Sequence, residues 1–94
     1  MSIVTVLDIT FIADKAEEAL GLFDDILVAT RAFEGCEGVD VLVQQDDKTR
    51  VLVIERWASI EADTAYRAWR ASEGPSPLAA YIAAAPTVRF FDPR

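Results

Sequence analysis

Three aromatic side chains in the second half of the chain have the types and spacing of a pocket for a flat, apolar molecule. Trp57 ends a sequence typical of a β-strand, and Tyr66 and Trp69 follow on one stripe of a predicted helix. Aromatic rings bury large areas wherever they lie, so core packing competes with this interpretation and is favoured for Trp57 and for the helical stripe. For Tyr66 the two roles are evenly balanced, because a buried hydroxyl needs a hydrogen-bond partner. Tyr81, on a short predicted helix, is a candidate for the roof of the same pocket.

Charged residues on the predicted strands supply the second set of candidates. Asp8 lies among apolar neighbours in the first strand, where a desolvated carboxylate could transfer protons. A structural ion pair with Arg56 or Arg89 is the favoured alternative, because a buried charge needs a partner. Either arginine could instead stabilise an oxyanion or a peroxide. The candidate catalytic residues are thus Tyr66, Asp8, Arg56 and Arg89, and the candidate substrate-binding residues are Trp57, Trp69 and Tyr81.

The composition argues against several other kinds of site. The chain has no histidine and a single cysteine, Cys36, so we expect neither a transition-metal centre nor catalysis by an activated thiol. It carries no flavin or metal motif, and we expect no cofactor. A formal net charge of −7 argues against binding to nucleic acid or to an anionic membrane surface. No apolar run approaches the roughly 20 residues that cross a bilayer, and the lone cysteine without a leader sequence favours the cytoplasm.

Hydrophobic periodicity in the first part of the chain predicts a strand and a long helix. Residues 3–12 are rich in Val, Ile and Thr, which is typical of a strand. A helix is predicted from about Lys15 to Phe33. Its local signals are a capping box of Asp14 with Glu17, a close-packed glycine at Gly21 and a stop at Gly35.

The second part of the chain completes one domain that spans residues 1–94. Residues 39–45 and 49–57 predict a hairpin, and Ser59 caps a second helix. A short helix over 78–85 and a last strand over 87–91 follow. The order β-α-β-β-α-β predicts an α+β, ferredoxin-like fold with one four-stranded antiparallel sheet and both long helices on one side of it.

The predicted strands are apolar on both faces, although the helices can cover only one. In the first strand Val4 and Val6 alternate with Leu7 and Ile9, and apolar residues alternate in the same way along 51–54. An uncovered apolar face would exceed what monomers tolerate. We therefore expect a homodimer, sheet facing sheet about a two-fold axis, in the manner of a dimeric α/β barrel.

Two stretches of the sequence resemble a known family across nearly the whole chain. "TRAFEGCEGVDVLVQQDD" and "VLVIERWASIEADTAYRAW" are similar to the antibiotic biosynthesis monooxygenase type of small dimeric α/β barrel. Members of that family include oxygenases, haem degraders, isomerases and proteins with no known activity. They often carry a histidine nine residues after the strand-end tryptophan; here that position, counted from Trp57, is Tyr66.

The resemblance implies cofactor-independent oxygenation of a small phenolic, hydroquinone or polycyclic substrate, in a pocket between the sheet and the helices. Such chemistry requires a site that binds a flat ring, excludes water, favours the substrate anion and protonates a peroxide. Two alternatives remain open. One is a non-catalytic dimer that binds a small hydrophobic ligand, and the other is an isomerase on the same scaffold.

Overall fold

A computed structural model describes residues 2–94 and contains four strands and two α-helices. The strands form one antiparallel sheet in the order β2-β3-β1-β4. The elements in chain order are β1 (Ile3–Thr10), α1 (Ala16–Ala32), β2 (Cys36–Val43), β3 (Arg50–Trp57), α2 (Ile60–Ser72) and β4 (Thr87–Phe91). The ferredoxin-like α+β fold predicted from the sequence is therefore confirmed.

Local signals at the ends of the helices were predicted with mixed success. The Ser59 hydroxyl accepts a hydrogen bond from the Ala62 amide, as expected of an N-cap. The capping box of Asp14 with Glu17 is wrong, because a 3-10 turn over Ala13–Lys15 precedes α1 and no side chain caps either element. A turn that tightens the chain in this way pairs backbone groups that a side-chain cap would otherwise satisfy.

Two other local predictions also need correction. Gly21 is exposed and a Cβ there would meet nothing within 4 Å, so no close packing explains this glycine. The short helix predicted over 78–85 is a 3-10 helix, Pro77–Tyr81, after which Ile82 bridges to Phe11. Proline at its first position and a Ser76 cap start this segment, but five residues are too few for a regular α-helix.

The hydrophobic core lies between the sheet and α1. Alternate residues of β1 and β3 point to the same side of the sheet, where Ile9, Val51 and Val53 meet Phe23 and Leu27 of the helix. All five side chains are buried. A second apolar cluster continues toward α2 and consists of Ile3, Trp57 and Tyr66, with Phe33, Cys36, Ala62 and Trp69 packed against it.

The other side of the sheet, which we call the open face, is covered by neither helix. Its apolar residues are Val4, Val6, Leu42, Leu52, Ile54 and Phe91, assigned by their register across the four strands. Leu42 is 51% exposed and Phe91 48% exposed. The edge strand β4 is exposed along its whole length. No helix within residues 2–94 is long and apolar enough to cross a membrane.

A hydrogen-bonded link joins α1 to α2. The Tyr66 hydroxyl lies 2.7 Å from Thr30 Oγ1 and accepts a hydrogen bond from Arg70 Nε at 2.7 Å. Arg70 Nη2 donates to Thr30 Oγ1 and to the carbonyl of Ile26, both at 2.9 Å. Because Tyr66 and Thr30 are buried, each polar atom here depends on the others.

The link predicts that Tyr66→Phe destabilises the fold by about 1–3 kcal/mol, because it leaves a buried hydroxyl and a guanidinium nitrogen with fewer partners. Urea unfolding followed by circular dichroism measures the change. Tyr81→Phe is the matched control, since its hydroxyl bonds to Glu18 at an exposed site, and it should change stability by less than about 0.5 kcal/mol. Equal effects of the two substitutions would contradict this account of the link.

Gly35 provides a second test of the fold. Its φ is +91°, and a Cβ there would lie 2.5 Å from Ala62 Cβ. Gly35→Ala should destabilise by about 2–4 kcal/mol, because left-handed strain adds to steric overlap with α2. Gly74 has a φ of +83°, but a Cβ at that position would meet nothing within 4 Å, so Gly74→Ala should show the strain alone, about 1–2 kcal/mol. If Gly74→Ala destabilises as much as Gly35→Ala, close packing at Gly35 is not the cause.

Candidate functional site

A cleft opens on the helix side of the sheet where α2 leaves β4 uncovered. We call it the α2–β4 cleft. It has a volume of about 370 Å³ and is lined by Ile3, Ile60, Asp63, Thr64, Phe90, Phe91 and Asp92. The lining is mostly apolar, with one buried carboxylate, Asp63, on the helix above the sheet. A concave, largely apolar surface with few polar groups is typical of a small-molecule site.

The floor of the cleft follows from strand register. Thr5 of β1 lies opposite Glu55 of β3 on one side and opposite Phe90 of β4 on the other. Directly opposed residues of antiparallel strands share a face, so these three form a row across the sheet beneath α2. Thr5 and Glu55 are buried, whereas Phe90 is 60% exposed because no helix covers β4.

Asp63 is fixed above this row by two contacts to the same oxygen. Thr5 Oγ1 donates to Asp63 Oδ1 at 3.1 Å, and Arg67 Nη2 lies 3.2 Å from the same atom. Arg67 follows Asp63 by four residues, one turn along α2, which brings the two side chains together. Within residues 2–94 no hydrogen bond reaches Asp63 Oδ2. Asp63 lines the cleft, and Oδ2 is its carboxylate oxygen without a hydrogen bond among these residues.

Arg67 also pairs with a second buried carboxylate. Its Nη2 contacts Glu55 Oε1, which accepts a further hydrogen bond from Trp57 Nε1 at 3.2 Å. The side chains of Glu55 and Asp63 are 3% and 6% exposed, and that of Arg67 is 30% exposed. Charges withdrawn from water in this way require close partners. We call Glu55, Asp63 and Arg67 the buried charge cluster.

The cluster rests against the aromatic group predicted from the sequence. The Arg67 guanidinium lies 4.9 Å from the Tyr66 ring centroid, and the Tyr66 ring lies 4.8 Å from that of Trp57. Trp69 packs 6.1 Å from Tyr66, and Phe33 packs against all three rings. Trp57 and Tyr66 are buried, and Ile3 of the same cluster lines the cleft.

The core alternative therefore describes Trp57 and Tyr66 in this structure. Neither of them, nor Trp69, is among the residues that line the α2–β4 cleft. The Tyr66 hydroxyl makes hydrogen bonds with Thr30 and Arg70. That Trp57, Tyr66 and Trp69 line a ligand pocket stays a prediction.

The structure places Asp8, Arg56 and Arg89 on the opposite side of the sheet. Asp8 pairs with Arg50, at 3.8 Å, and not with either arginine that the sequence suggested. A groove of about 290 Å³ on the open face contains Asp8, Arg50 and Arg89. Arg56 pairs at 3.0 Å with exposed Asp40 on β2.

Tyr81 and Cys36 lie away from both of these surfaces. The Tyr81 hydroxyl donates to Glu18 of α1 at 3.0 Å, and this hydrogen bond raises the pKa of the phenol. Burial raises the pKa of the Cys36 thiol, which keeps it protonated and unreactive at neutral pH. The candidate catalytic residues are thus divided between the two faces of the sheet and do not form one constellation.

Sequence reasoning did not select the buried charge cluster, although two signals pointed to it. Glu55 has the same parity as Val51, Val53 and Trp57 on β3, which places it on the buried side. Asp63 and Arg67 have the i,i+4 spacing of a helical ion pair.

Comparison with solved structures shows that the whole chain adopts a known architecture. Rv0793 from Mycobacterium tuberculosis aligns over 100% of this chain and 96% of its own, with a TM-score of 0.78 and 19% identity. A conserved protein from Methanosarcina mazei Go1 covers 100% of this chain and 94% of its own, with a TM-score of 0.84 and 17% identity. Protein SO0527 from Shewanella oneidensis covers 96% and 88%, with a TM-score of 0.81 and 21% identity. At these identities the likeness concerns the fold alone.

Comparison with curated proteins finds no significant match. The sequence profile of the family described as antibiotic biosynthesis monooxygenase matches residues 2–75, which include the first three strands, both α-helices and the buried charge cluster. The chain belongs to the antibiotic biosynthesis monooxygenase family.

Proposed function

We propose that this protein binds an electron-rich hydroxyarene in the α2–β4 cleft and oxygenates it with O₂, without a cofactor. One observation carries the proposal: a buried carboxylate that lines a mainly apolar cleft, Asp63, has one oxygen fixed by Thr5 and Arg67, and within residues 2–94 no hydrogen bond reaches the other. Membership of the family supports the reaction class. A flat ring would lie between Ile60 and Phe90, with its hydroxyl toward Asp63.

In the proposed reaction Asp63 Oδ2 acts as a general base and removes the proton from the substrate hydroxyl. The resulting anion transfers one electron to O₂, and superoxide combines with the aryloxyl radical at a ring carbon to form a carbon–oxygen bond. Protonated Asp63 returns its proton to the peroxide. The O–O bond then breaks as the ring carbon loses its hydrogen as a proton, so that the arenol and O₂ yield a quinone and water.

The surroundings of Asp63 suit these steps. Thr5 and Arg67 fix the carboxylate before the substrate arrives, which reduces the reorganisation required in the transition state. The Arg67 guanidinium supplies a positive charge near the negative charge that develops on the ring and on the peroxide. Trp57 and Tyr66 would support the floor from behind Ile3.

Oxygen uptake tests this proposal. Wild-type protein should consume O₂ with naphthols or hydroquinones in metal-free buffer, and Asp63→Asn should lower kcat/KM by about 100-fold, because the amide cannot accept the proton. Asp24→Asn, an exposed charge change on α1, is the control and should leave the rate unchanged. NMR spectra of both variants verify that they are folded.

Other outcomes distinguish the alternatives. Binding of the same compounds without O₂ uptake would contradict the oxygenase and favour a non-catalytic ligand-binding protein. Turnover that continues under nitrogen would favour an isomerase. A rate that is unaffected by Asp63→Asn would exclude Asp63 as the base.

The proposal includes a homodimer, located in the cytoplasm, that is formed by the open faces of two copies. The solvent-accessible surface of the chain is 5916 Å². A compact monomer of 10.3 kDa has about 5,400 Å² of such surface, so this chain exposes more than a monomer of its mass usually does. Six apolar side chains already described lie on that face.

Charges also suit a self-complementary contact, because Asp40 and Arg56 are an exposed pair on the same surface. A second copy would shelter Leu42 and Phe91 and enclose the groove beside Asp8 and Arg89.

Sedimentation at low micromolar concentration tests the assembly and should give twice the 10.3 kDa chain mass. Leu42→Lys should shift the protein to monomer, because a charge replaces an exposed apolar side chain of the open face. Val28→Lys is the matched control, since Val28 is 66% exposed on α1, away from the open face. A folded wild-type monomer, or dissociation by both substitutions alike, would contradict this assembly.

A further inference from the structure

The charges around the α2–β4 cleft are unbalanced. The charged residues that line it are both acidic, Asp63 and Asp92, with no lysine or arginine among the lining residues. Arg67, behind Asp63, is shared between Asp63 and Glu55, and within residues 2–94 neither carboxylate has another basic partner within 4.0 Å. The buried charge cluster therefore carries two carboxylates for one guanidinium.

Burial makes this imbalance important for binding. Asp63 is 4% exposed and Glu55 2% exposed, so water screens their charges poorly. A ligand that enters the cleft displaces the remaining water and reduces the screening further. An anionic group on the ligand would then meet like charge at short range, and both the repulsion and its own desolvation would oppose binding.

Neutral ligands with a hydrogen-bond donor do not meet this barrier. Asp63 Oδ2 can accept from a hydroxyl or an amide N–H, and Thr64 lines the cleft one residue further along. The apolar residues Ile60 and Phe90 can contact the ring without regard to its charge.

We infer that the buried charge cluster makes the α2–β4 cleft selective for uncharged arenes that donate a hydrogen bond, and that it excludes arenes bearing a carboxylate, sulfonate or phosphate. The inference rests on the proposed use of the cleft and narrows its substrate class. It also sets the place of the reaction in a sequence. Any acidic substituent on the ring must be absent or already removed or esterified before the substrate reaches this protein.

The test compares three probes of naphthalene size under anaerobic conditions: 2-naphthol, 2-naphthamide and 2-naphthoate. Amide shifts of Asp63, Thr64 and Phe90 in NMR titrations of the wild-type protein report both the site and the affinity. The amide and the carboxylate have nearly the same shape, so the ratio of their affinities reports the added negative charge together with the loss of the N–H donor. We expect 2-naphthol and 2-naphthamide to bind at least about tenfold more tightly than 2-naphthoate at neutral pH.

Asp63→Asn removes one negative charge with little change in shape. It should reduce the preference for 2-naphthamide over 2-naphthoate to less than about threefold, whereas Asp24→Asn, which makes the same change in net charge on α1, should leave the preference unchanged. If Asp63→Asn does not fold, the comparison of probes on the wild-type protein still decides the question.

Equal or tighter binding of 2-naphthoate in the cleft would overturn the inference, as would the absence of shifts at Thr64 and Phe90 with every probe. Because no O₂ is present, the result is separate from the test of catalysis. Charge-selective binding without O₂ uptake in air would contradict the proposed reaction but not this inference. Oxygenation of a carboxylated arene in the cleft would contradict this inference but not the proposed reaction.

Discussion

The interaction on which this structure depends is the pairing of one arginine with two buried carboxylates between α2 and the sheet. Arg67 joins Glu55 on β3 to Asp63 on the helix, and Thr5 on β1 completes the connection. Removing Arg67 would leave two buried carboxylates without a compensating charge, which is costly in a protein interior. The same contacts that hold α2 against the sheet therefore also set the position of the carboxylate that lines the cleft, so stability and the proposed function depend on the same side chains.

The geometry of the pairing leaves hydrogen-bonding groups of the cluster unused. Arg67 Nη2 makes both ion pairs, while its Nε is buried without a hydrogen-bond partner among residues 2–94. A bidentate pair would satisfy more of the guanidinium and bind each carboxylate more strongly. Among residues 2–94 no hydrogen bond reaches Asp63 Oδ2, although Asp63 lines the cleft. By contrast, the core cluster between α1 and the sheet consists of apolar side chains.

The fold could be predicted from the sequence because each element carries a local signal. Ser59 caps α2, Gly35 takes a left-handed conformation after α1, and alternation in β1 and β3 assigns the two faces of the sheet.

The site could be predicted only in part. The aromatic cluster was identified, but its interpretation depended on whether Tyr66 met a cavity or a partner, and Thr30 and Arg70 lie 36 and 4 residues away in the chain. The pairing of Tyr66 with Thr30 is set by packing between α1 and α2, which a single sequence does not specify. Asp8 illustrates the same limit, since strand register places Arg50 within reach of it and not Arg56.

The most direct test of ligand binding in the α2–β4 cleft is a structure from crystals grown with 2-naphthol in the absence of oxygen, because it locates the ring without relying on turnover. We expect electron density for the ring between Ile60 and Phe90, with its hydroxyl within hydrogen-bonding distance of Asp63 Oδ2. Density in the open-face groove beside Asp8 and Arg89, with an empty α2–β4 cleft, would contradict it.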